Sequence, residues 1–506
     1  MFRVQDTLCT HCNFCGKSGP VLCYAARTAR RGLDGNFPSK DDSKTSKFGA
    51  TQSAGEQFHP GAPRYKAIRD IVFVPELLGT DRVAVREREG VEPLYTHCRT
   101  QGTLGGFQVN TPIVVAAMGS TPVANTIGPD LSWGAAKGGF VCSIGENIMN
   151  MWGYDERIAD QPTLKERITG FTDNAVDGKG GVLVQQNVED ARAGVWKRVY
   201  NDPTLKDAFE AGLIGFEAKG GQGAKPGMGG EVKLTRENAK RLHEMYHFPV
   251  NPFEVEQSLY QRHSVPGTMT PESLEAQLSE MAEQFPKARI WFKTGPYGDL
   301  MTQIQVLDQV AAKYGIRIHL TVDGSEGGTG MSPLGPMNDM GLPTIACLQA
   351  IAKARTQYTN LDYTIAGGMV TGRDLAKSLA LGCDGIAFGK GFLVAAMAGR
   401  DEFADQFENI AEAGALGCYN YAVEGVSNEA RMLVSSVGKY DFADFKPGEA
   451  FEVPGQKLST IDVVSTDEQV AKMFDLLYAY DVNLWEKLGP ATAELRQRCA
   501  GAMATA

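Results

Sequence analysis

The sequence predicts an α/β protein built on a closed (β/α)8 barrel, and three observations carry that expectation. Eight short apolar, β-branched runs recur between residues 112 and 391, glycine-rich turns end them, and helical patterns such as TQIQVLDQVAAKYG and TGRDLAKSLALG separate them. Continuous apolar strands suit a parallel sheet covered on both faces, and eight of them suggest closure into a barrel whose functional residues sit where the strands end. At 506 residues the chain has room for such a barrel, roughly 250 residues or more, with flanking pieces.

In chain order, the first element is a cysteine-rich segment, residues 1–34, containing CTHCNFCGKSGPVLC. Residues 35–64 are polar, rich in Ser, Gly and Lys and without periodicity, and read as a linker. The barrel-related region spans residues 65–435. Its strand runs are PIVVAAMG, GFVCSIGE, GVLVQQN, LIGFEAKGG, RIWFKTG, RIHLTVDG, LDYTIAGG and GIAFGKG. Residues 222–288, between the fourth and fifth runs, are too many for one helix and predict an insertion or lid. The last segment, residues 436–506, contains the amphipathic STDEQVAKMFDLLYAYDVNLWEKL and predicts a helical extension packed on the barrel.

Composition narrows the function classes. The 50 Lys and Arg against 60 Asp and Glu, a net charge of −10, argue against nucleic acid or an anionic membrane as the main partner. The N-terminus lacks the apolar core of a signal peptide and no apolar run is long enough to span a bilayer, so the expected location is the cytoplasm. There, scattered cysteines such as Cys142, Cys347 and Cys499 read as buried thiols.

The strand ends carry the chemistry. GGQGAKPGMGG, DGSEGGTGMSP, AGGMVTG and FGKG all follow predicted strands. Any one glycine can simply make a tight turn, but four clusters at corresponding positions favour close backbone approach to a ligand. Glycines after the seventh and eighth strands let N–H groups reach an anion, which implies a phosphorylated ligand. GIAFGKG has too few residues before its Gly-Lys pair for a Walker loop, and no G-x-G-x-x-G follows a strand.

GQGAKPGMGGEV, RHSVPG, VDGSEGGTGMSP, GGMVTGRDLAKSLALGCDGIAFGKGFLVA and the earlier AAMGSTPVAN resemble, in the same order, the FMN-binding synthase domain of glutamate synthase. The resemblance covers residues 65–435 and implies an FMN-binding (β/α)8 barrel that reduces 2-iminoglutarate, formed from 2-oxoglutarate and ammonia, to glutamate. It places Met118, Gly119 and Ser120 on the loop along the flavin and Gln222 and Lys225 in the QGAK turn. It places Lys293 after the fifth strand, Gly327, Gly328 and Thr329 in the sixth-strand loop, and Gly367, Gly368, Gly389 and Lys390 in the phosphate cradle. Lys293, Lys225 and Gln222 are the catalytic candidates; a lysine beside the flavin stabilises its anionic reduced form, whereas on its own such a residue is as readily a surface ion-pair lysine.

Departures from the family's pattern are specific. KPGEGG becomes KPGMGG at Met228, an acid is replaced by Ala366 and an arginine by Val370. Where the family carries three cysteines for a 3Fe-4S cluster, this chain has Cys418 alone. Cys9, Cys12, Cys15 and Cys23 in a C-x2-C-x2-C-x7-C spacing suit an iron–sulfur cluster of the 4Fe-4S type or a structural zinc. A flavin that has lost its usual cluster needs another electron entrance, which favours iron–sulfur. The implied partners are 2-oxoglutarate or a related keto acid, a ferredoxin or reductase subunit, and an oligomeric assembly. Only the linker separates the cysteine motif from the barrel, so free ammonium or a separate glutaminase subunit is the expected nitrogen source.

Two other readings compete. An electron-transfer flavin/iron–sulfur subunit of a larger redox complex fits the changes at Met228 and Ala366, while Lys225, Lys293 and Arg262 suit a dicarboxylate substrate. HEMYH, His243 to His247, is a literal H-E-x-x-H zinc motif, with Glu272 or Glu275 as a third ligand, but Phe248-Pro249 would stop its helix. Its plainer reading is a solvated or structural histidine pair.

Overall fold

The computed structural model describes residues 80–223, 230–264, 270–327 and 341–445, together with isolated earlier positions and a short hairpin between 452 and 457. The linker at 35–64 and the amphipathic stretch at 465–488 lie outside the described residues.

Each of the eight apolar runs forms a strand: β1 (Ile113–Met118), β2 (Val141–Ile144), β3 (Gly181–Gln186), β4 (Ile214–Lys219), β5 (Arg289–Thr294), β6 (Ile318–Asp323), β7 (Leu361–Ala366) and β8 (Gly385–Phe388). They pair in parallel in sequence order and close through β8 and β1 into a barrel. Side chains alternate between the helix-facing shell and the barrel lumen, so Phe216 and Ala218 pack outward while Glu217 and Lys219 share the lumen face. The β1–β2 register shifts between Val115 and Met118, a local irregularity that re-aims the end of β1.

A hairpin that the periodicity does not announce closes the opposite end. Gly102–Leu104 pairs with Phe107–Val109, and Leu104 and Phe107 fill the lumen against Val114, Val141, Leu183 and Trp291. Its turn demands glycine. A Cβ on Gly105, at φ +55°, would lie 2.4 Å from the Trp291 ring. Above that plug Trp291 stacks on His319 at 3.6 Å between centroids, and His319 Nε2 shares a 2.8 Å hydrogen bond with Thr364 Oγ1. The lumen is therefore solid at its N-terminal end, and any ligand must enter from the other.

On the outside, the helices Gly128–Gly138, Lys390–Phe403 and Ile410–Tyr419 pack closely at glycines: a Cβ on Gly399 would meet Ala413 O at 2.5 Å, and one on Gly134 would meet Cys418 Cβ at 2.6 Å. The last of these helices continues through a π-helical stretch, Asn420–Ser427, into Asn428–Val437. Tyr421 in that stretch donates a 2.6 Å hydrogen bond to Val370 O and so anchors the loop after β7. Cys142 and Cys347 are buried free thiols, as expected; Cys418 is also a buried free thiol, and Cys499 lies outside the described residues. Among the described residues, no helix is long and apolar enough to cross a membrane.

Candidate functional site

The C-terminal ends of the strands bring most of the expected residues to one rim. Met118 ends β1 and Gly119 and Ser120 follow it, Gln222 follows β4, Lys293 is the penultimate residue of β5, Gly327 follows β6, Gly367 and Gly368 follow β7, and Gly389 and Lys390 follow β8. Lys225, Gly328, Thr329 and Met228 lie outside the described residues, as do Cys9, Cys12, Cys15 and Cys23.

Lys293 is not a surface lysine. It is buried, and its Nζ lies 3.3 Å from Asp323 Oδ2 at the end of β6. Burial disfavours its charge, but Asp323, Glu217 and Glu146 together hold its pKa above the ordinary lysine value. The site therefore contains a fixed cation. Directly across the β4–β5 ladder stands Lys219, which the sequence reading did not single out. Its Nζ donates to Gln222 Oε1 at 2.7 Å, to Glu146 Oε2 at 3.2 Å and to Gln185 Oε1 at 3.5 Å. Two residues deeper, Glu217 Oε2 accepts from Ser143 Oγ at 2.8 Å and Gln185 Nε2 at 2.6 Å. Two lysines, three carboxylates and two amides thus form one polar layer from β2 to β6. Beside it Thr321 Oγ1 is buried without a hydrogen-bond partner.

The other side of the rim has the opposite character. Ala116, Ala366 and Ala387 line the lumen on β1, β7 and β8, so the cavity wall there is small and apolar. Gly367 and Gly368 have φ values of +122° and +72°, which side-chain-bearing residues rarely adopt. Gly367 O accepts from Thr344 Oγ1 at 3.1 Å, and Glu326 Oε2 takes the Thr344 N–H and hydroxyl at 2.7 and 2.6 Å. Glu326 is thereby committed to starting the helix Thr344–Arg355.

The two helix starts expected to cradle an anion differ. After β7, Asp374 Oδ2 accepts from Val370 N and Thr371 N at 2.9 and 2.8 Å, and Glu429 Oε2 takes Gly372 N at 2.8 Å. Carboxylates already satisfy that start. After β8, the helix Lys390–Phe403 is led by Gly389, which has no side chain to cap it. A Cβ there would meet nothing nearer than Ala116 Cβ at 3.9 Å. The open, glycine-led start is the better anion cradle of the two.

The insertion after β4 supplies a further cation. Gly230–Leu234 pairs antiparallel with Tyr260–Ser264, and with the helix Arg236–Leu242 they enclose a small core of Ala239, Leu242, Tyr246, Phe248 and Tyr260. Met151, on the short helix Ile148–Trp152 after β2, packs against that core. Arg262 is buried with its guanidinium 3.9 Å above the Tyr246 ring, and its Nε has no hydrogen-bond partner. Nearby, burial raises Asp190 to a pKa of about 7, and its Oδ2 accepts from Asn147 N at 2.8 Å. The H-E-x-x-H run is broken: the helix ends at Leu242, so His243 and His247 do not share a helical face, and His243 packs against Phe248 and Phe253. Among the described residues, no group of three His, Cys, Asp or Glu side chains is placed to hold a metal.

Residues 204–400 match the model of the conserved region in glutamate synthase. Over this stretch the chain is similar to glutamate synthases. It runs from before β4 to the helix after β8, and so includes Lys219, Gln222, Lys293, Gly327, Gly367, Gly368, Gly389 and Lys390 but not the β1 loop. A glutamate synthase large subunit-like protein of Rhizobium meliloti (strain 1021) is 32% identical over 197 residues, which are 38% of this chain and 41% of that protein. The match thus spans about two fifths of the relative. A double mutant of flavocytochrome b2 with pyruvate bound aligns at 16% identity over 79% of this chain and 83% of its own, with a TM-score of 0.45. A mandelate oxidase mutant with a monooxide FMN adduct aligns at 16% identity over 75% and 87%, with a TM-score of 0.42.

Proposed function

We propose that the chain is an FMN-dependent oxidoreductase of the glutamate synthase type, reducing 2-iminoglutarate, formed from 2-oxoglutarate and ammonia, to glutamate. The observation that carries this reading is the buried Lys293–Asp323 pair beside Lys219, inside a barrel mouth whose other wall is alanine and glycine. A fixed cation deep in a site is expected where an anionic cofactor or substrate must be held.

The residues fit FMN. The glycine-led helix start at Gly389 leaves room for a phosphate, Gly367 and Gly368 allow close backbone approach, and Met118, Gly119 and Ser120 lie on the same rim with Gln222 and Gly327. FMN bound there would supply the hydride equivalent for reduction of the imine. Lys293 would hold positive charge against the cofactor, Lys219 and Gln222 would orient the reacting end of the substrate, and Arg262 would take a carboxylate. Glu146, bonded to Lys219, would exchange a proton with the substrate nitrogen.

Cys9, Cys12, Cys15 and Cys23 are assigned to a 4Fe-4S cluster that passes electrons from a ferredoxin or reductase subunit, and the nitrogen comes from free ammonium or a separate glutaminase subunit. The test is to purify the chain without oxygen, release the chromophore by denaturation and measure iron. FMN and iron, with iron lost and FMN kept in Cys12→Ser, supports the reading. FAD or no flavin in reconstituted protein overturns it, and zinc in place of iron removes the cluster from it. An FMN protein that transfers electrons but leaves 2-oxoglutarate and ammonium untouched would instead be an electron-transfer subunit.

A further inference from the structure

We infer that Tyr246 is a positioning residue that holds Arg262 in place for an anionic substrate group while leaving its in-plane N–H donors uncommitted. This rests on the proposed reading of Arg262 as the carboxylate ligand. A buried guanidinium normally pairs with a carboxylate, because an uncompensated buried charge is costly. Arg262 is 7% exposed, yet no carboxylate among the described residues pairs with it. What lies against it is the face of Tyr246, 4% exposed, at 3.9 Å. An aromatic face attracts the cation through its quadrupole and contacts the guanidinium plane. A carboxylate in the same place would occupy the edge donors and cancel the charge that a substrate anion needs.

The surroundings support this division of labour. Glu146, Glu189 and Asp190 are close enough to Tyr246 to act on its phenol. Asp190 is turned to Asn147 N and Asn150 Nδ2. Burial and those carboxylates push the Tyr246 phenol above its ordinary pKa, so the ring stays neutral. The insertion core of Leu242, Phe248 and Tyr260, braced by Met151, fixes the ring itself. Tyr246 thereby connects a packed insertion to a charge that the barrel rim does not provide.

The experiment compares Tyr246→Phe, Tyr246→Leu and Tyr246→Met with Arg262→Lys and Arg262→Ala, in the full-length protein with its flavin content measured. The readouts are equilibrium binding of 2-oxoglutarate and the division of effects between KM and kcat. Tyr246→Phe keeps the ring and is expected to bind as the parent does. Tyr246→Leu should weaken binding about tenfold, the equivalent of roughly 1.4 kcal/mol for a desolvated cation–π contact, with KM rising and kcat little changed. Tyr246→Met, which fills the volume without a π face, should behave as Leu does and replaces it if that variant is unstable. Parent-like affinity in both Leu and Met variants overturns the role of Tyr246 provided Arg262→Ala weakens binding. If Arg262→Ala binds normally, or the parent does not bind 2-oxoglutarate, the underlying reading of Arg262 fails instead.

Discussion

Lys293→Met should destabilise the cofactor-free protein as the loss of a buried counter-ion does, and the structure sets the scale. The substitution keeps most of the apolar stem but removes the Nζ that lies 3.3 Å from Asp323 Oδ2, both groups being nearly inaccessible to solvent. Asp323 is then a buried carboxylate with Glu217 and Glu146 as like charges in the same layer. Removing one partner of a buried pair costs about 3–5 kcal/mol. Lys219, across the ladder, offsets part of this, so the lower end of that range is expected. Urea unfolding followed by circular dichroism measures the change. In the double variant Lys293→Met with Asp323→Asn the penalty should fall well below the sum of the single changes, with coupling of about 2 kcal/mol, because the orphaned charge is gone. A loss below about 1 kcal/mol with additive double-variant behaviour would identify Lys293 as an ordinary exposed ion-pair lysine and refute the reasoning.

Two further outcomes follow from buried groups and open backbone. His319, neutral in the barrel lumen, has its pKa lowered by burial from 6.5 to about 4. Its folded value being depressed, the parent should lose stability as pH falls below 6.5 toward 4, by up to about 3 kcal/mol from this group, because only the unfolded imidazole accepts the proton there. His319→Gln should remove that part of the pH dependence of urea unfolding, and an unchanged slope would show that His319 already titrates in the fold. Gly389→Ala should leave unfolding unchanged, since its Cβ meets only Ala116 Cβ at 3.9 Å, yet weaken FMN binding tenfold or more in an equilibrium titration of the apoprotein. Normal FMN affinity would move the phosphate away from the start of the Lys390–Phe403 helix.

The barrel was legible because its signal is local. Each strand is a short apolar run ended by glycine, and the eight runs needed no knowledge of their partners to be counted. The rim glycines and Lys293 were legible for the same reason, since they adjoin strand ends. Lys219 and Glu217 were passed over although FEAK carries the clue: two charges spaced by two in an otherwise apolar strand share one face. The partners Glu146 and Asp323 emerge only from the closed register. The plug hairpin was hidden because each arm is three residues long and gains its burial from distant strands. Tyr246 lies inside the zinc-like HEMYH run, whose histidines drew attention away from the ring, and the preceding helix ends before that run, at Leu242.

The central claim is most directly tested by a single turnover. The purified chain, its bound flavin fully reduced without oxygen, is mixed with 2-oxoglutarate and ammonium while flavin absorbance and amino acid product are followed together. Reoxidation of the flavin with one glutamate formed per flavin, absent when glutamine replaces ammonium, is the expected result. Reduced flavin that persists in the presence of both substrates, or reoxidises without forming glutamate, would contradict the account.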